Sequence, residues 1–198
     1  MPVASRVLLV TLLTIPSIVT AQHGDPSAAQ APSAPAEARQ HDFLLGQWEL
    51  SVKVPATSLA TRLHGMPKLV GSWKGWRAFD GYGIEDELRI TDASGNPVTL
   101  VHSLRYYDRT TRKWSITALD VYRGKVSTLS ATWGKGTMLQ ESRGVDQEGK
   151  PYLARARFIE ITPTAFRFRQ DRSYDDGKSW KEDTLVIEAK RVAATAPR

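Results

Sequence analysis

Cysteine is absent from this chain of 198 residues, and histidine and methionine occur only 4 and 3 times. Without cysteine the protein can hold no disulfide, thiol nucleophile, Cys-x-x-Cys redox pair, cysteine-ligated zinc or iron–sulfur cluster. Charge of one sign is also in small excess, because 27 Lys and Arg stand against 21 Asp and Glu, for a net charge of +6. Spread along the chain, this excess does not indicate nucleic-acid binding. We therefore expect neither thiol chemistry nor a nucleic-acid partner.

A long hydrophobic run occurs only at the N-terminus. Arg6 precedes an apolar stretch from Val7 to Val19, and Val19-Thr20-Ala21 is a small-residue cleavage site. The alternative, a membrane-spanning helix, needs about 20 uninterrupted apolar residues, and Pro16 breaks this shorter stretch. We therefore predict a signal peptide over residues 1–21. Because no cysteine follows it to carry a lipid anchor, we expect a periplasmic or secreted protein without a membrane span.

The segment after the leader is poor in large apolar side chains. Residues 22–40 contain six alanines and three prolines but no aromatic residue, valine, isoleucine or leucine. Such a stretch cannot bury enough surface to offset its ordering entropy, so we predict a disordered spacer. One globular domain is expected over residues 41–192, with a frayed tail at residues 193–198.

Within the domain the main signal is alternation of apolar and polar residues. From Gly46 to Val54, Trp48, Leu50 and Val52 share one face, which is typical of a half-buried strand. Turn-rich segments separate further runs of this kind, and only Ser58 to His64 could form a short helix. The sequence thus predicts an all-β protein, an antiparallel up-and-down meander closed into a barrel. The other predicted strands cover residues 68–79, 82–91, 98–107, 113–121, 126–133, 137–143, 152–161, 165–173 and 180–189.

Turn lengths predict strand registers, and registers predict which polar side chains face the lumen. A two-residue turn at Asp80-Gly81 places Trp73 opposite Leu88. This register puts Arg77 and Asp86 on the inner face as a diagonal ion pair. The pair has two interpretations, a structural ion pair or a pair that orients a ligand or takes part in catalysis.

The second register concerns the loop of residues 108–112. A five-residue loop would pair Tyr106 with Trp114 and His102 with Ala118, which turns His102 toward the lumen. There it would be either a hydrogen-bonded core histidine or a general base in contact with a ligand. No second histidine lies on a neighbouring strand, so we predict no metal site.

The third register follows from a four-residue loop at residues 162–165. It turns a group of arginines inward beside Gln170, and the last hairpin adds Asp183. This group is either a solvated ion network at the barrel rim or a clamp for a carboxylate or phosphate, with apolar walls beside it. The ligand-binding candidates are Arg155, Arg157, Gln170, Arg172, Asp183, Trp73 and Phe168.

A recognisable turn motif precedes the last predicted strand of the domain. Residues 173–180 have the S-x-D-x-G-x-[ST]-W form of the Asp-box, in which Asp and Ser bond the backbone of the turn and Trp packs beneath it. We predict a structural role for it. The remaining outward tryptophans, Trp76 and Trp133, lie on separated strands and offer little support for carbohydrate binding.

Three segments carry a family resemblance. His41 to Trp48, Leu104 to Asp108 followed by Lys113-Trp114, and Phe166 leading into the Asp-box turn resemble the motifs of a lipocalin-like, calycin-type family of bacterial proteins. Lys178 stands where that family often has glycine. The resemblance spans nearly all of residues 41–192. It implies a barrel of about 8–10 strands with a lumenal pocket, in which Trp48 plugs the closed end, but no agreed activity.

The sequence leaves three functions open. The leading one is an exported protein that binds a small, amphipathic, anionic molecule in the lumen without a cofactor. The second is an enzyme of the calycin type, a hydrolase, lyase or isomerase, with catalytic candidates His102, Asp86, Arg77 and Tyr106. The third is haem binding, which here would need Met138 or a tyrosine because no histidine follows His102. The oligomeric state stays open.

Overall fold

The computed structural model describes residues 33–55, 68–146 and 148–193. Ten antiparallel strands form one closed sheet, in which each strand pairs with its neighbours in sequence and β1 pairs also with β10. The predicted all-β, up-and-down barrel is therefore confirmed. Its strands are β1 (Gly46–Lys53), β2 (Leu69–Ala78), β3 (Gly83–Asp92), β4 (Pro97–Asp108), β5 (Lys113–Asp120), β6 (Lys125–Gly134), β7 (Thr137–Val145), β8 (Pro151–Ile159), β9 (Ala165–Ser173) and β10 (Lys181–Arg191).

Several expectations lie outside the described residues. These are the signal peptide, most of the spacer, the helix at Ser58 to His64 and nearly all of the C-terminal tail. Helical structure among the described residues is limited to three short 3-10 segments, Ala36–Arg39, Asp42–Leu44 and Phe79–Gly81. In this part of the chain no helix has the length and apolar character needed to cross a membrane.

One end of the barrel is filled by aromatic side chains. This closed end carries the turns after β2, β4, β6 and β8 and the short helix Asp42–Leu44. Trp48, Trp114 and Phe158 are each fully buried there. The Trp48 indole N–H donates to the carbonyl of Leu44 at 3.1 Å. Trp48 is thus a buried plug with a satisfied indole N–H, as predicted.

The segment just before the first strand packs on this closed end. Ala38 is only 1% exposed, and its carbonyl accepts a hydrogen bond from Arg77 at 3.2 Å. The Gln40 side-chain carbonyl accepts from the Trp114 indole N–H at 3.0 Å. The compact unit that contains the barrel begins at Ala34, so residues 34–40 belong to the same unit as the strands.

The three predicted registers have different outcomes. The β2–β3 register is confirmed, with Trp73 opposite Leu88. The β4–β5 register is wrong by one residue, because Arg105 and not Leu104 lies opposite Ile116. A four-residue turn closed by the Asp108–Lys113 pair causes the difference, and the Asp108 carboxylate accepts the turn's backbone N–H groups.

A shift of one residue exchanges the two faces of a strand. In β4, Ser103 and Arg105 are therefore buried, at 3% and 4% exposure, whereas Leu104 and Tyr106 are 38% and 47% exposed. The inward placement predicted for His102 and Tyr106 is wrong.

The β8–β9 register is also wrong by one residue. Phe158 lies opposite Phe168, and Arg155 lies opposite Asp171. The connection runs over residues 160–164 and begins with Glu160 at a φ of 53°. This left-handed residue lengthens the turn beyond the loop that the sequence suggested, and it sends Arg155 and Arg157 to the outer face.

Candidate functional site

A cavity of about 950 Å³ occupies the lumen above the aromatic plug. Its volume is in the range of small-molecule sites, which are mostly apolar with a few polar groups. Residues from the turns after β5 and β7 also line the cavity, so the cavity reaches the end of the barrel opposite the plug. We call this end of the barrel the open end. Its apolar wall is formed by Val52, Leu69, Trp73, Leu88, Ile90, Ile116, Leu129 and Phe168.

The deepest charged group in the wall is an ion pair. Asp86 is fully buried, and Arg105 is 4% exposed. The Asp86 carboxylate accepts hydrogen bonds from the Trp73 indole N–H at 2.7 Å, from Arg105 Nη2 at 3.2 Å, and also from Arg105 Nε. Because both carboxylate oxygens are occupied, Asp86 is suited to holding Arg105 in place rather than to accepting a proton.

The cavity wall contains buried hydrogen-bond donors that have no partner. They are Arg105 Nη1, Gln140 Nε2 and Arg172 Nε. Among the described side chains of the wall, every buried nitrogen or oxygen atom without a partner is a donor, and none is an acceptor. Buried polar groups are nearly always satisfied, so these atoms require acceptor oxygens from water or from a ligand.

Arg172 lies near the open end and differs from Arg105 in its charge balance. Its guanidinium stacks over the Tyr152 ring at 4.4 Å. No carboxylate of the described residues comes within 4.0 Å of it. By contrast, Arg123 at the same end is paired with Asp120 at 2.7 Å. Arg172 is therefore a cation without a carboxylate partner at the edge of an apolar cavity.

Aspartates near the open end are engaged with their own turns. Asp146 accepts the backbone N–H groups of Glu148 and Lys150 at 3.0 and 2.9 Å. The hydrogen bond from Lys150 is the largest cause of a lowered pKa at Asp146. Asp146 thus stays ionised while holding its turn together, instead of pairing with Arg172.

The predicted catalytic residues do not meet in the lumen. His102 lies on the outer face, where its Nε2 is 3.4 Å from the Glu85 carboxylate. Arg77 pairs with Asp42 and not with Asp86, so the predicted Arg77–Asp86 pair is wrong. Gly75 lies opposite Asp86, and the Leu44 carbonyl occupies the space that a side chain at this position would need. Of the four candidates, only Asp86 lines the cavity.

The predicted arginine clamp is divided between the two faces of the sheet. Gln170, Arg172, Trp73 and Phe168 line the cavity. Arg155 and Arg157 instead bond the buried Asp171 carboxylate on the outer face, at 2.9 and 2.7 Å.

Asp183 also belongs to the outer face. It forms a bidentate pair with Arg169 at 2.6 and 2.5 Å. The hydrogen bond from Arg169 lowers the pKa of Asp183. Asp183, Arg155 and Arg157 therefore form a surface ion network, and their predicted place in the lumen is wrong.

Two lumenal residues, Arg105 and Gln140, were missed by the sequence analysis. Arg105 lies within the Leu104 to Asp108 motif, and the wrong register alone assigned it to the surface. Gln140 stands between Leu139 and Glu141 and gives no signal of its own in the sequence.

His41, the first residue of the family-like motif, is fully buried beneath the cavity. Its ring meets Trp114 edge-on at 4.2 Å, and neither ring nitrogen has a hydrogen-bond partner. Burial lowers the pKa of His41 well below its usual value, and the positive charge of Arg105 lowers it further. His41 is therefore neutral in the folded protein.

The Asp-box turn has the hydrogen bonds predicted for it. Ser173 Oγ accepts the N–H of Gly177 at 2.8 Å, and the Asp175 carboxylate accepts the N–H of Ser179 at 2.9 Å. The side-chain and backbone hydrogen bonds from Ser179 lower the pKa of Asp175 to about 2. The motif thus stabilises its own turn.

Comparison with known proteins gives no match to any family model and none to a curated protein. Among the described residues, no three His, Asp or Glu side chains converge as possible metal ligands. The chemistry of the cavity is therefore the basis for an interpretation of function.

Proposed function

We propose that this chain is an exported binding protein that holds one amphipathic carboxylic acid in the barrel lumen. The carboxylate binds Arg172 near the open end, and the apolar body lies against Leu88 and Phe168. Export rests on the signal-peptide pattern that begins at Arg6. The observation that carries the proposal is that, among the described residues of the cavity wall, the buried atoms without a partner are all N–H donors.

The charge of the ligand follows from the partners of Arg172. Its guanidinium has an aromatic ring on one side and no carboxylate within reach among the described residues. An arginine in this setting favours an anion with a planar pair of oxygens, for which its fork of N–H groups is matched. The apolar wall favours a ligand whose remaining surface is hydrophobic.

An enzyme is less well supported. His102 and Tyr106 are on the outer face, and the two oxygens of Asp86 are occupied by Trp73 and Arg105. Haem ligation through Met138 has no support either, because Met138 is fully buried and does not line the cavity. The lipocalin-like resemblance, whose barrel architecture the chain shares, agrees with a binding role.

A matched pair of ligands and a matched pair of variants test this proposal. By titration calorimetry we expect decanoic acid to bind more tightly than decan-1-ol. Arg172→Met removes a charge-assisted bond of about 1.5–3 kcal/mol, so it should weaken acid binding about tenfold or more and leave the alcohol unchanged.

The control is Arg157→Met, the same chemical change on the outer face, which should alter neither ligand. Equal affinities of the wild type for acid and alcohol would exclude the proposal. So would an equal effect of the Arg172 and Arg157 substitutions on acid binding.

A further inference from the structure

We infer that Arg105 and Gln140 form a second ligand subsite in the lumen, which binds a neutral oxygen acceptor, such as a ketone carbonyl, at the far end of the ligand. This inference rests on the proposed function, since it assigns the part of the same ligand that lies away from the carboxylate. It predicts that the natural ligand is an acid with a second oxygen function along its chain.

The first support is the pair of buried donors. Arg105 and Gln140 are 4% and 5% exposed. Arg105 uses Nε and Nη2 on Asp86, which leaves Nη1 without a partner, and Gln140 Nε2 has none. Both residues line the cavity. Each of these buried N–H groups needs an acceptor oxygen inside the cavity, from a ligand or from a water molecule.

The second support is charge. Asp86 is fully buried beside Arg105, so the pair presents no net charge to the cavity. A carboxylate bound there would be close to the Asp86 carboxylate in a medium of low dielectric constant, where like charges repel strongly. A neutral carbonyl accepts the same hydrogen bonds without this repulsion. The anionic end of the ligand therefore belongs at Arg172, and the neutral acceptor belongs at Arg105.

The third support is the position of the two arginines in the barrel. A continuous row of paired residues joins them across the strands: Arg105, Ile116, Leu129, Ser142, Ala154 and Arg172. Their strands, β4 and β9, are five strands apart in a closed barrel of ten, so they form opposite walls.

The two arginines also differ in depth. Arg105 lies close to the end of β4 at Asp108, on the plugged side, and Arg172 is next to the end of β9 at Ser173, on the open side. A ligand that reaches both must cross the lumen diagonally. The apolar residues Ile116, Leu129 and Phe168 line the space between them. This arrangement fits a molecule with two polar ends and an apolar middle.

The test uses tetradecanoic acid and a series of oxotetradecanoic acids in which the carbonyl is moved along the chain. In the wild type we expect one carbonyl position to bind about threefold to tenfold more tightly than the parent acid, the gain of one or two neutral hydrogen bonds. The Gln140→Leu variant keeps only the Arg105 donor, so it should lose part or all of that gain and bind the parent acid with unchanged affinity. Gln47→Leu, the same change at an exposed position, is the control.

Each result decides the inference. An acid that binds, with no carbonyl position preferred in the wild type, would overturn the subsite and leave the proposed function standing, with water as the partner of the donors. A carbonyl preference of undiminished size in Gln140→Leu would also overturn it. If no acid binds, the proposed function fails, and tetradecanones then test the subsite alone. Tetradecanone binding that weakens in Gln140→Leu supports the subsite. No tetradecanone binding, or binding that is unchanged in Gln140→Leu, overturns the subsite.

Discussion

At the residue scale, the closed end depends on a histidine that must stay neutral. His41 has no hydrogen-bond partner for either ring nitrogen and contacts Trp114. Its pKa in the folded state is lowered by burial and by Arg105. In the unfolded chain the imidazole of His41 titrates at its ordinary pKa of about 6.5, so below that pH the unfolded state binds a proton that the folded state does not. Stability contributed by neutral His41 is therefore present above about pH 6.5 and is lost as the pH falls below it.

We expect the free energy of unfolding of the wild type to fall by about 1–2 kcal/mol between about pH 7 and pH 5, measured by urea denaturation. His41→Phe keeps an aromatic ring against Trp114 and removes the titrating group, so its stability should change less over this range. An equal loss in both proteins would show that His41 is not the cause.

The buried ion pair gives a second prediction at this scale. Arg105→Met leaves the fully buried Asp86 without its cation, and we expect a loss of about 3–5 kcal/mol in the free energy of unfolding. Replacing both residues, Asp86→Asn with Arg105→Met, removes the uncompensated charge and should recover part of this loss. Thermal or urea denaturation measures both. A double variant no more stable than Arg105→Met would contradict the role assigned to the pair.

At the element scale, strand positions were predictable from the sequence but two registers were not. Apolar alternation located all ten strands, and the two-residue turn at Asp80-Gly81 fixed one register correctly. The β4 register failed because the turn after β4 is one residue shorter than predicted, and as a result Leu104 and Tyr106 face solvent and Arg105 faces the lumen. A hydrophobic pattern indicates the wrong face where the core holds a buried ion pair.

The segment before β1 yields the prediction for this scale. Ala38 is buried, and Gln40 accepts the Trp114 indole hydrogen bond. A chain that starts at residue 41 should be less stable than one that starts at residue 34 by about 1–3 kcal/mol, because the buried indole N–H loses its partner. Chemical denaturation of the two proteins measures the difference. Equal stabilities would mean that residues 34–40 contribute nothing to the closed end.

For the whole molecule, part of the lumen was predictable by residue type. Trp73, Phe168, Gln170 and Arg172 were expected to face inward and do so. Gln140 was not found, because a lone glutamine in a strand has no periodicity or motif that marks it. The arginines and aspartate that the predicted register placed in a lumenal clamp form an ion network on the outer face in the observed register. Residue types alone therefore do not distinguish these two arrangements.

The signal-peptide pattern gives a prediction for the entire chain. Expressed in a bacterium with a periplasm, the protein should be exported and cleaved after Ala21, so that the mature chain starts at Gln22. N-terminal sequencing of the periplasmic fraction checks this. An uncleaved chain that stays in the cytoplasm would contradict export.

The proposal that the lumen holds an amphipathic acid is tested most directly by native mass spectrometry of the protein purified from its own host, with extraction and identification of what is bound. We expect one acid per barrel in the wild type and in Arg157→Met, and a clearly lower occupancy in Arg172→Met. A wild-type barrel that is empty, or that retains a molecule without an acidic group, would contradict the proposal.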